Sequence, residues 1–178
     1  MVIELKPNRG GFLRPFGCGW FIREFLLGNR PEGSSKVDPD RGATQTDINY
    51  EYKEALARAT ARERAERIIS NMVVKGADVT EEDADRIYQQ ELKRLSRKFT
   101  HMRYHSFLMY FGVLKRLGWV EATNETEPST MQDSYPAAPG RVYYRLTTRG
   151  KRAGVDLWKN PLFTLYPEIG PSHLKKSG

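Results

Sequence analysis

Apolar residues recur with a helical period along much of the chain. Between Asp47 and Lys75, Tyr52, Leu56 and Ala59 share one face, and Ile68, Ile69, Met72 and Val73 follow. Thr60 with Glu63 three residues on has capping-box spacing, so this stretch reads as one helix or as two. Gly76 is a stop, and Thr80 is an N-cap ahead of Glu81, Glu82 and Asp83, acids that suit a helix N-terminus. The next helix carries Ala84, Ile87, Tyr88, Leu92, Leu95 and Phe99 at i, i+3, i+4 spacing. After a very short break capped by Thr100, a third helix turns Phe107, Phe111, Leu114 and Leu117 inward. Its opposite stripe is His101, His105, Met109, Gly112 and Arg116, with Ser106 beside it.

The period then changes. Gly118 closes the helix, and Trp119 to Ala122 reads as a strand. A polar loop, residues 123–140, leads to a second strand in which Val142, Tyr144 and Leu146 alternate inward and Arg141, Tyr143 and Arg145 outward. Thr147 caps another helix running to about Trp158, and Asn160-Pro161 stops it. The fold class is mainly α with a small β-hairpin.

The N-terminal third is less regular. Phe12, Phe16, Trp20, Phe21 and Phe25 lie among glycines, and Gly28 is placed to end a short helix. Two readings stand side by side: packing against the core, or a subunit interface covering apolar surface outside the main domain. Residues 28–45 read as a loop or linker. The expected division is therefore an N-terminal aromatic-rich extension (1–46), a helical domain (47–158) and a C-terminal tail (159–178).

Charge sharpens the picture. The 178 residues carry a net charge of +7, but the charge is segregated. Residues 92–120 hold seven bases and 141–152 five more, neither stretch containing an acid, whereas 47–91 hold eleven acids against seven bases. Two acid-free basic stretches around one helix and one hairpin point to a polyanion. Basic residues at a strand edge also serve to block aggregation, which is the plain reading of Arg141, Arg145 and Arg149 taken alone.

Other chemistry finds little support. No apolar run approaches the roughly 20 residues that span a bilayer, and the N-terminus lacks a secretory layout, so no membrane partner is expected. Cys18 is the one cysteine, which excludes an internal disulfide and fits a cytoplasmic setting. His101 and His105 have a helical metal-ligand spacing but no third ligand, and Ser106 beside His105 has no fixed acid. "GGFLRPFG" lacks the Lys-Ser/Thr ending of a phosphate loop. No enzyme activity, metal or cofactor is expected.

Helix, tight turn, helix, strand, long loop, strand is the order of a winged helix-turn-helix. "GVLKRLGWVE", followed at a distance by "GRVYYRLTTRGKRAG", resembles the core of PadR- and MarR-type transcriptional regulators. The resemblance rests on Leu117-Gly118 and on Tyr144, Leu146, Thr147 and Gly150, and covers about residues 80–158. It implies a homodimer on double-stranded DNA. The contacts expected are Arg97, Lys98, Thr100, His101, Arg103, His105, Ser106, Met109, Arg116, Arg141, Tyr143, Arg145, Arg149, Lys151 and Arg152. The helix residues would read base edges, and the basic wing base would hold phosphates.

Two features depart from that pattern. The inter-strand loop is long and acidic, with Glu121, Glu125, Glu127 and Asp133, and the long C-terminal dimerisation helix of PadR-type proteins is missing. The alternative is therefore a protein-interaction module using the 122–140 loop or the 12–27 aromatic segment. Stacking of Tyr104 and Tyr143 on single-stranded bases is a third reading.

Overall fold

The computed structural model describes residues 14–95, 104–127 and 140–170. Its elements are α1 (Cys18–Leu26), β1 (Ala43–Thr44), α2 (Gln45–Val74), α3 (Glu81–Arg94), α4 (Tyr104–Arg116), β2 (Val120–Glu127) and β3 (Arg141–Leu146), followed by the short helices α5 (Thr148–Arg152), α6 (Val155–Lys159) and α7 (Pro161–Leu165). The protein is mainly helical, with a small antiparallel sheet in the order β1–β3–β2. It divides into two compact units, and α2 belongs to both. One unit joins residues 17–55 to 102–178 and contains the sheet; the other joins 56–101 to 1–16 and contains the rest of α2 and α3. Residues 17–46 cluster with the sheet.

In the helical unit, α2 runs unbroken through Thr60, so the two-helix option is not realised. Leu56, Ala59, Ala61 and Ala65 are buried, Ile68, Ile69 and Met72 half-buried, and Val73 and Val74 exposed. At its end the Ala77 N–H bonds the Met72 carbonyl and the Gly76 N–H the Val73 carbonyl, the helix stop expected at Gly76. Thr80 starts α3 with a complete capping box: its hydroxyl accepts from the Asp83 N–H, and the Asp83 carboxylate accepts from the Thr80 N–H. The hydrogen bond from the Thr80 hydroxyl holds the Asp83 carboxyl below the usual range. Phe99 and the expected Thr100 cap lie outside the described residues.

The sheet unit is built on aromatic packing. Phe21, Ile22, Phe25 and Leu26 of α1 are at most 2% exposed, and Phe21 stacks on Phe25 at 5.5 Å and meets Tyr52 of α2 at 5.4 Å. Each such buried side chain contributes about 1.5–3 kcal/mol. These side chains are core, as the first of the two readings expects, while Phe16 and Trp20 of the same segment are half-buried. Phe12 lies outside the described residues. The expected linker is packed as well, with Pro31, Ser34, Val37 and Gly42 to Thr44 buried. Thr44 caps α2, its hydroxyl accepting from the Asp47 N–H at 3.1 Å.

Phe107, Phe111 and Leu114 of α4 are fully buried and Leu117 nearly so, as the periodicity requires. The β3 alternation is different from that expected. Leu146 is buried, but Tyr143 is only 7% exposed while Tyr144 is half-buried. The sheet is covered on both faces, so alternation cannot distinguish inside from outside. Tyr144 meets Phe111 edge-on at 5.1 Å. Tyr143 lies opposite Thr44 of β1, under Arg41, whose guanidinium is 4.5 Å from its ring centre. β2 is also longer than expected. Residues 123–127 belong to it, with a bulge where Ala122 to Thr126 face only Tyr144 to Val142. Residues 128–139 of the long loop lie outside the described residues.

The helix expected from Thr147 to Trp158 is two short helices, parted at Ala153 and Gly154, both extended. The break returns Trp158 to the core, 4.7 Å from Trp119 between ring centres.

Candidate nucleic-acid interface

The residues that carry the family resemblance form a structural knot. At the end of α4 the Trp119 N–H bonds the Leu114 carbonyl and the Gly118 N–H the Lys115 carbonyl, with Gly118 at φ 68°. The chain thus turns directly into β2. The Thr147 hydroxyl donates to the Gly118 carbonyl at 2.5 Å and accepts from the Gly150 N–H at 3.0 Å. Gly150 sits against the Trp119 carbonyl, where a Cβ would collide, and its own carbonyl accepts from Trp158 Nε1 at 3.0 Å. Leu-Gly, Leu-Thr and Gly150 therefore lock the end of α4 to the sheet and to the C-terminal helices. Thr147 is a cap rather than a contact residue.

That knot fixes which face of α4 points outward. Tyr104, His105, Ser106 and Met109 are exposed, Met109 to 66%. Gly112 follows on the same stripe, with open space where a side chain would be. The flank is closed by Tyr110, whose hydroxyl lies against Gly19 of α1 and whose burial pushes its pKa up. Arg116 ends the stripe and donates to the Tyr166 hydroxyl at 3.2 Å. Arg97, Lys98, Thr100, His101 and Arg103 lie outside the described residues.

The basic residues sort into tied and untied groups. Arg145 pairs with Glu121 at 3.0 Å and donates to the Asp40 carbonyl at 3.3 Å. Arg141 is half-buried. Tyr143 is not placed for contact: it is buried, and its hydroxyl accepts a hydrogen bond from Arg41 Nη2 at 3.1 Å. Arg149, Lys151 and Arg152 are exposed on α5, with Arg149 lying over Gly118 at the end of α4. Cations at that helix end complement its partial negative charge.

Three participants carried no sequence signal. Lys115 lies over the Tyr144 ring at 4.8 Å and shields the sheet. Arg41 joins Tyr143 to Glu125 of β2. Tyr166 reaches Arg116 from fifty positions away. Each is a contact between residues far apart in sequence, which periodicity does not encode. Among the described residues, no helix is long and apolar enough to cross a membrane. No protein-family model, curated protein or solved structure matches the chain.

Proposed function

We propose that the sheet unit is a winged helix-turn-helix that binds double-stranded DNA sequence-specifically, as a homodimeric transcriptional regulator. In it α4 is the recognition helix and β2–β3 the wing. The observation that carries this reading is the outward stripe of α4, with His105, Ser106 and Met109 exposed and Gly112 bare, in a unit whose sheet runs β1–β3–β2. A helix of 10–12 Å diameter fits a major groove about 12 Å wide. His101, Arg103, His105, Ser106, Met109 and Arg116 are the proposed readers. Arg97, Lys98, Arg141, Arg149, Lys151 and Arg152 are the proposed phosphate contacts, which Arg145 joins by exchanging Glu121.

Selection of bound sequences from a random duplex pool tests the proposal. Enrichment of a two-fold symmetric site supports it; a pool left unenriched after repeated rounds contradicts it. A protein-interaction module is the second reading, favoured by Val155, Leu157, Leu162 and Ile169, each at least 40% exposed within fifteen residues.

A further inference from the structure

We infer that the C-terminal segment from Pro161 to Gly170 is an autoinhibitory latch on the C-terminal end of α4. The inference rests on the DNA-binding reading above. Two anchors bring the segment to α4. Trp158 is fully buried, and its carbonyl, the Pro161 ring and the Tyr110 hydroxyl all converge on Gly19. The segment therefore begins on the Tyr110 flank of α4, beside the outward stripe. From there α7 packs along α4, and Tyr166 crosses to the stripe and takes a hydrogen bond from Arg116.

Geometry gives the sign of the effect. A major groove about 12 Å wide holds one helix and little beside it. A segment packed along the recognition helix narrows the room at that end, and Arg116 has to leave Tyr166 to reach a base or a phosphate. The hold is light: beyond Pro161, none of the residues to Gly170 is buried, and Leu162, Tyr166 and Ile169 are exposed. An exposed arginine–tyrosine hydrogen bond is a weak competitor for a phosphate. The latch accordingly attenuates binding rather than abolishing it.

Fluorescence anisotropy on one duplex at low salt tests the latch with the full chain, Tyr166→Phe, Arg116→Ala and the double variant. Tyr166→Phe is expected to bind about two- to five-fold tighter than the parent, the scale of one weak hydrogen bond. In the Arg116→Ala background the same change is expected to have no effect. Unchanged or weaker binding by Tyr166→Phe, or equal tightening in both backgrounds, overturns the latch and leaves the DNA reading standing. Absence of binding by every variant at low salt overturns the DNA reading and the latch with it.

Discussion

Gly150 and Gly112 show how differently one residue type is used. Gly150 is buried against the Trp119 carbonyl, so an added methyl forces the α4 turn and α5 apart. Gly150→Ala is expected to destabilise the sheet unit by about 1–3 kcal/mol, as overpacking does, read by chemical denaturation. Gly112 stands in open space on a helix. Gly112→Ala is expected to stabilise α4 by about 1 kcal/mol. If the bare stripe exists for close approach to DNA, the same variant binds more weakly while melting later. A later melt with unchanged affinity would show that the glycine has no part in contact. Removing the Thr147 hydroxyl costs a further two hydrogen bonds, so Thr147→Val is expected to lose about 1 kcal/mol or more.

At the scale of elements, the β2–β3 hairpin is less cationic than its sequence. Arg145 is neutralised by Glu121 across the β2–β3 ladder, and Arg41 by Glu125 on the same strand. Both members of each pair are about half exposed, so the pairs add little to stability. Glu121→Gln is therefore expected to leave the melting temperature nearly unchanged while releasing Arg145. The log–log salt slope of duplex binding should steepen by about one unit, measured by anisotropy at several salt concentrations. Lys151→Ala and Arg152→Ala are expected to flatten it by about one unit each, and to weaken all sequences alike.

Much at this scale was legible. Thr80, Gly76 and Gly118 mark helix ends by local chemistry, and Phe107, Phe111 and Leu114 mark a face by period. Tyr143 was not, because a strand covered on both faces carries no readable alternation. Nor was the packing of α1, since an aromatic segment reads the same whether it covers its own core or a partner. The Ala153–Gly154 break answers to the contact of Trp158 with Trp119, 39 residues earlier in the sequence.

The whole molecule is two units sharing one helix, and α2 runs across their boundary at residue 55 without a break. Trp20, Trp119 and Trp158 all belong to the sheet unit. The half-buried apolar residues of the second half of α2 and of α3 predict a lower local stability for the helical unit. Thermal unfolding followed by far-ultraviolet circular dichroism should therefore begin before the tryptophan fluorescence changes, and coincident curves would mean one cooperative body. Charge segregation, by contrast, was visible from the start, and the central claim turns on it. The most direct test is anisotropy of the full chain on a random duplex across a salt series. Neutralisation by Arg149, Lys151 and Arg152 predicts binding at low salt that weakens with a log–log slope of about −3 or steeper. Failure to bind at low salt, or binding indifferent to salt, would contradict the account.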